Sequence, residues 1–366
     1  MKTSVSIVLF LTLSLSTFRF ALAQEDGDVI SQRGVLQVAP LFQRWSLDSS
    51  TVSQSSAVLY VYQPLSRSAS VSLRGSFGST SGDVTTLSGL SDVQLAGNYY
   101  FESANLVFAL GVGIPSGKKQ LPFSQFRTSA VIAENIFRFQ MPNFGSGFNL
   151  SPSVMWALPV GEDVVFGLGA GFQYRGEYKP IENGGTLKPG NEFLGTVGVE
   201  IRTSETSSIA LDVVYTRYGR DKLNGSEVFA SGDRVRATAQ FKASFERNEL
   251  LVVGSFRSKG KAEAGFGGTF TPLQQRLTPN QGEVLAAYRA SFSDRFATQF
   301  ILEGRFFEKT FAFFSGYSII GIGAVPEIVL ATDVVMPLRL RYFYGTKEGG
   351  QALKGIEAGL GLIVRY

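Results

Sequence analysis

The sequence predicts an all-β protein, a transmembrane antiparallel up-and-down β-barrel of about 14–16 strands, with sixteen the best count. Three observations predict it. From Arg33 onward, apolar and polar residues alternate with a period of two, the mark of strands with two different faces. Tyr and Phe recur at strand ends on the apolar face, as at Tyr99, Phe101, Phe292, Phe296, Tyr342 and Tyr344. Short turns and long loops alternate between the strands, which puts the turns on one rim and the loops on the other. Composition agrees: the 366 residues include 41 Gly, 31 Phe and 13 Tyr, with 44% hydrophobic and only 17% charged.

The chain opens on MKTSVSIVLFLTLSLSTFRFALAQ. Lys2, the apolar stretch Ser6 to Leu15 and the Ala21-Leu22-Ala23 cleavage site form the pattern of a secretory signal peptide over residues 1–23. The expected mature chain is 24–366, a single barrel domain in the outer membrane of a Gram-negative-type cell. No later apolar run reaches the roughly 18 residues of a membrane helix.

The last segment shows the alternation best. Ile356, Ala358, Leu360, Leu362, Val364 and Tyr366 share one face, and Gly355, Glu357, Gly359, Gly361, Ile363 and Arg365 the other. In DRVRATAQFKASFER, Val235, Ala237, Ala239, Phe241, Ala243 and Phe245 oppose Arg234, Arg236, Gln240 and Lys242. Short turns fall at Glu102-Ser103, Gly161-Glu162, Arg247-Asn248 and Thr332-Asp333. Between them lie the long loops Thr80 to Gly89, Ser116 to Gly147, Glu177 to Gly190, Arg220 to Ser231, Ser258 to Gln281 and Lys309 to Ile320. An even strand count returns both termini to the short-turn rim.

One loop differs. LPFSQFRTSAVIAENIFRFQ, Leu121 to Gln140, lacks Gly and spaces Phe126, Ala130, Ala133 and Phe137 as on an amphipathic helix. Three placements fit: folded into the lumen as a constriction, lying over the barrel mouth, or packed on its own rim as a surface excursion. In the first, Phe123, Phe126, Ile132, Ile136 and Phe137 are the candidate gate.

The stretch SLRGSFGSTSGDVTTLSGLSDVQLAGNYYF, followed by LVFALGVGIPSGKK, carries a resemblance. Its Gly-Leu-Ser-Asp-Val strand start, aromatic strand end and closing Pro-x-Gly resemble the phenol meta-pathway degradation family of outer-membrane proteins, which is akin to the long-chain fatty-acid transporter barrels. Asp92, Pro115 and Gly117 match that pattern, and Gly145 to Gly147 resemble its Gly-Ser-Gly strand start. The resemblance covers Leu65 to Gly161. It implies uptake of small hydrophobic or amphipathic compounds by a passive or binding-assisted route, and a terminal aromatic, Tyr366, read by the barrel-assembly machinery. Two features depart from it. The segment Gln24 to Gln32 is too short to fill a lumen, and the strand count exceeds the fourteen typical of fatty-acid transporters, so their lateral exit is not implied.

If the aliphatic face meets lipid, the other lines the pore. It carries Arg234, Arg236, Gln240, Lys242, Arg289, Gln299, Glu303, Arg305, Glu327, Arg339, Arg341 and Glu357. Lipid forbids such charge and a polar interior permits it. Two readings stay open, a mildly cationic passage or a ladder of Arg–Glu pairs bracing the wall. Earlier strands face inward with small residues such as Gly111, Ser153, Gly169 and Gly171, leaving room for the loop helix or an apolar solute, or relieving crowding at bends.

With no Cys and no His, the chain has no thiol nucleophile and no histidine base or metal ligand. No cofactor, metal, nucleic acid or enzymatic activity is expected, and the expected partners are outer-membrane lipid, the assembly machinery and a small hydrophobic solute bound by a monomer. The alternatives are a non-transporting structural or adhesive barrel, and a general porin, which would fold a polar loop into its pore.

Overall fold

The computed structural model describes residues 31–310 and 315–366. The expected export segment lies outside them. Eighteen strand segments close into a barrel of sixteen antiparallel strands, because two of the strands are interrupted. They are β1 (Val35–Leu47), β2 (Ser50–Pro64), β3 (Ala69–Gly82), β4 (Leu87–Leu90 and Val93–Phe101), β5 (Leu106–Ile114) and β6 (Asn149–Val160). There follow β7 (Val164–Arg175), β8 (Glu192–Ser204), β9 (Ser207–Tyr218), β10 (Arg234–Phe245) and β11 (Asn248–Lys259). The last five are β12 (Gln281–Ser293), β13 (Phe296–Phe307), β14 (Tyr317–Ala331), β15 (Val334–Lys347) and β16 (Ala352–Leu360 and Leu362–Arg365). Pairing of β1 with β16, from Leu41 opposite Gly359 to Val35 opposite Arg365, closes the sheet. Closure leaves no unpaired edge, a requirement for any sheet in hydrocarbon.

Every strand presents large apolar residues on its outer side. Leu59, Phe108, Leu168, Leu211, Leu302, Ile322, Leu340 and Leu360 all stand exposed. An apolar belt running the full circumference is a lipid-facing surface. Its neighbours one residue away point inward, as Glu303 (2% exposed) and Glu357 (5%) do.

The alternation slips at β4. Phe77 pairs with Leu90 but Arg74 pairs with Gln94, so β4 holds one extra residue around Ser91-Asp92. Such a bulge re-aims a side chain without breaking the sheet. Leu90 and Leu95 are consequently both exposed although an odd number of residues apart.

Three of the long loops are not irregular. Leu187–Lys188, Arg220–Leu223, Ser226–Ala230, Glu263–Phe266 and Thr269–Pro272 form a second, five-stranded sheet beyond the rim. Its hairpins turn on Asn224-Gly225 and Gly267-Gly268, all four with positive φ, the pairings that two-residue hairpins favour.

The facing scheme makes a prediction. Leu360→Arg or Ala239→Arg, each on the lipid side, costs about 2–4 kcal/mol and impairs folding into bilayers. Inward Lys242→Gln leaves folding unchanged. Urea titration of the protein refolded into lipid vesicles measures both; equal stability of Leu360→Arg and the parent would overturn the scheme.

Candidate functional site: a loop held inside the barrel

The loop between β5 and β6 turns back into the barrel. Its neck is built on Asp92, the residue the β4 bulge re-aims. One carboxylate oxygen accepts from the Gly117 N–H at 3.0 Å, and the other from the N–H and hydroxyl of Ser146 at 2.6 and 3.2 Å. Lys118 N–H donates to the Phe144 carbonyl at 2.6 Å, so the two ends of the loop are pinched together. Gly117 is required there, since a Cβ would lie 2.1 Å from the Phe144 oxygen. At Gly145, with φ near +158°, a Cβ would meet the Lys118 oxygen at 2.4 Å. The motif residues Asp92, Gly117 and Gly145–Gly147 thus meet in space at this neck.

Within the loop, helix α1 covers Phe123–Ala133, shorter than the 121–140 that spacing suggested. It docks on the β3–β4 connection, where Thr128 and Gln125 donate to the carbonyls of Thr85 and Thr86. Its covered side carries Thr128 and Ile132, while Ala130 and Ala133 are exposed. The face inferred from Phe126, Ala130, Ala133 and Phe137 is therefore not the buried one. Beyond Glu134 the chain leaves the helix through a turn in which the Phe137 N–H donates to the Glu134 carbonyl.

Those side chains form the central feature of the lumen. Gln43 on β1 donates to the Arg138 carbonyl at 3.1 Å and accepts from the Gln140 N–H at 2.6 Å. Gln54 on β2 donates to the Met141 carbonyl at 2.8 Å and accepts from the N–H of the same residue at 2.9 Å. Ser56 donates to the Gln140 amide oxygen at 2.8 Å, and Gln140 in turn donates to the Ala39 carbonyl at 3.1 Å. Each wall glutamine thus does for the loop what a neighbouring strand would do. Between these ties Arg138 adopts a left-handed backbone, φ 50°, uncommon for a residue with a side chain and sustained here by its surroundings.

The Arg138 guanidinium forks onto Glu283 of β12 and reaches Glu303 of β13 at 3.1 Å. Glu303 also pairs with Arg305 at 3.0 Å and with Arg341. Arg339 pairs with Glu357 at 2.9 Å, and Glu357 accepts from Gln43 at 2.9 Å. Arg305 donates to the Ile136 carbonyl at 2.7 Å and lies over the rings of Trp45 and Phe343, at 5.4 and 4.8 Å. Interleaved acids and bases of this kind stabilise only as a fully paired set.

Above and among these charges lies an apolar cluster. Ile132, Ile136, Phe139, Met141 and Phe144 of the loop pack with Trp45, Phe307, Ile319, Phe343 and Leu353 of the wall. Phe137 meets Trp45 at 5.8 Å and Phe139 at 5.7 Å between ring centres.

All twelve pore-lining candidates sit on inward positions, but they fall into separate groups. Glu303, Arg305, Arg339, Arg341 and Glu357 are gathered under the loop and grip it or each other, so they brace a plug rather than line open water. Arg289 and Glu327 form their own pair at 3.0 Å toward the short-turn rim. Gln299 lies on β13 beside that pair, and Gln240 and Lys242 lie on β10 toward the same rim. Arg234 and Arg236 belong to a cationic group described below. Of the gate candidates, Ile132 and Ile136 are fully buried and Phe126 and Phe137 pack against the cluster, whereas Phe123, in the first turn of α1, is 66% exposed and outside it. Sequence reasoning missed Gln43, Gln54, Arg138 and Glu283. The signal was present: lone polar residues on inward positions, and one Arg within Ile-Phe-Arg-Phe.

The plug cluster takes its wall residues from β1, β2, β4 and β13–β16. The opposite wall keeps a cavity. Ser153, Met155, Gly171, Leu194, Thr196 and Val214 line a recess of about 50 Å³, open to solvent.

No protein-family profile matches the chain, and no curated protein sequence does. Among solved structures it is similar to an outer membrane channel from Pseudomonas putida F1, at 10% identity over 93% of this chain and 98% of that one, with a TM-score of 0.43. The CymD monoaromatic hydrocarbon channel aligns at 8% identity over 92% and 89%, TM-score 0.47. Pseudomonas aeruginosa OpdQ aligns at 9% over 92% and 100%, TM-score 0.46. Likeness at these values carries no function across; what the site does follows from its own residues. The fold and site define a sixteen-stranded transmembrane barrel whose lumen is occupied by an inward-folded loop.

Asp92→Ala unties the neck. Trypsin then cuts at Lys118, Lys119, Arg127 or Arg138 at least about tenfold faster than in the parent while the barrel stays intact. Unchanged cleavage, read by mass spectrometry, would mean that Asp92 does not hold the loop.

Proposed function

We propose that this protein admits small hydrophobic or amphipathic molecules across an outer membrane, by a passive or binding-assisted route and without catalysis. One observation carries the reading: the occluding segment is fixed by side-chain hydrogen bonds and ion pairs, and the opposite wall keeps a recess. A wall built only to be rigid has no need of an inward loop on a pinched neck. Removing Arg138 alone withdraws the partner of Glu283, a loss of about 1.5–3 kcal/mol for charged hydrogen bonds.

The motif resemblance to the phenol meta-pathway degradation family supports the same cargo class, as do the apolar residues lining the cavity. A general porin is disfavoured by an occluding segment rich in Ile and Phe. The structural or adhesive reading draws support from one feature, the Arg–Glu network tying β12, β13, β15 and β16 together. The proposed setting is a monomer in outer-membrane lipid, exported by its leader and inserted by the assembly machinery through β16.

Single-channel recording in planar bilayers tests the proposal. The intact protein is closed or nearly so, and both a variant lacking residues 122–140 and the milder Arg138→Ala open. Silence from all three, with folded barrels confirmed by circular dichroism, would remove the uptake reading and leave the structural one.

A further inference from the structure

The cavity wall continues into a row of cations. Leu194 on β8 pairs with Thr216 on β9, which pairs with Arg234 on β10, which pairs with Lys259 on β11. In the next row, Thr196 pairs with Val214, Val214 with Arg236, and Arg236 with Arg257. Each row starts at the cavity and ends on two positive side chains directly opposite each other. Like charges in that relation destabilise a sheet.

Two of the nearby acids have other partners. Glu192 is held by Arg175 at 3.1 Å, and Asp221 accepts from the Gly190 N–H at 2.6 Å. Asp212, between Gly198 and Thr238, stands in the row that borders Arg236. The contacts of three of the cations are to neutral groups. Arg234 donates to the Thr216 hydroxyl at 3.3 Å, Arg257 to the Gln281 amide oxygen at 2.6 Å, and Lys259 lies 4.7 Å over the Tyr218 ring. This is a concentrated positive field against an apolar recess, with Arg257 at the edge of the plug, where Asn135 of the loop shares the Gln281 amide oxygen with it. A neutral hydrocarbon would gain far less from it than an anion.

We infer that the site formed by the β6–β9 cavity and the Arg234–Arg236–Arg257–Lys259 ladder binds an amphipathic monoanion. Its carboxylate or phenolate lies at the ladder, and its body, one ring or a short chain, fills the cavity. The inference rests on the uptake reading and narrows its cargo. Charge-assisted bonds to the guanidinium groups hold the head, and the recess removes the body from water. Because the ladder stands at the loop rim, it also concentrates such anions at the mouth, an effect that salt weakens.

The test is isothermal titration calorimetry on the full chain in detergent, with benzoate, benzyl alcohol and acetate as probes. Benzoate binds at least about tenfold more tightly than either of the others, since each lacks one half of the match. Arg236→Gln and Arg234→Gln weaken benzoate about tenfold and leave benzyl alcohol unchanged. Arg234→Lys keeps most of the benzoate affinity. Ser153→Phe, which fills the recess, weakens both aromatic probes. Equal affinity for benzoate and benzyl alcohol, or Arg→Gln variants that are folded and bind benzoate like the parent, would overturn the site. Binding is read independently of passage. Selective benzoate binding by a protein that admits nothing into vesicles keeps the site and removes the uptake reading. Entry of benzyl alcohol into vesicles with no preference for benzoate keeps uptake and removes the site.

Discussion

A closed barrel spends its backbone amides on its own wall. Every barrel strand here is paired on both sides, so a loop that enters the lumen finds no free strand edge to join. Its buried amides still need partners, at a cost of about 1–3 kcal/mol for each one left bare. Side chains must therefore supply them, and that requirement explains the inward Gln43 and Gln54, each of which pairs with backbone N–H and C=O groups of the loop. The same need for partners explains why its one inner cation, Arg138, meets carboxylates from two strands.

From that constraint the lumen divides in two. One side is crowded with Trp45, Phe343, Ile319 and the loop, over paired charges. The other has small inward residues, and they leave a cavity rather than a seat for helix α1, which docks on Thr85 and Thr86 instead. The neck at Asp92 decides the division, because it fixes where the loop enters. Asp92 does so only because one extra residue in β4 turns it away from its expected side.

Much of this was legible in the residues. Alternation around Leu360 and Val235 set the lipid and lumen faces, and the unequal connections set the two rims. The five-stranded sheet beyond the rim was also written in the chain, at Asn224-Gly225 and Gly267-Gly268, but long polar loops conceal short hairpins. The path of the loop was not legible. Phe126, Ala130, Ala133 and Phe137 have helical spacing, yet tertiary hydrogen bonds from Gln43 and Gln54 override that local preference over residues 138–141. Nor does the spacing of Arg and Glu along separate strands say which of them meet. Cross-strand register places Arg236 opposite Arg257 and brings Glu303 within reach of Arg341, and register is a property of the closed sheet.

Amide hydrogen exchange over residues 134–144, measured by mass spectrometry on the protein in lipid nanodiscs, tests the central claim most directly. If Gln43 and Gln54 clamp this segment inside the barrel, its amides exchange as slowly as those of the barrel strands, and Gln43→Leu together with Gln54→Leu speeds them by about tenfold or more. Exchange in the parent as fast as at the Gly267-Gly268 tip would contradict a plug held by the wall.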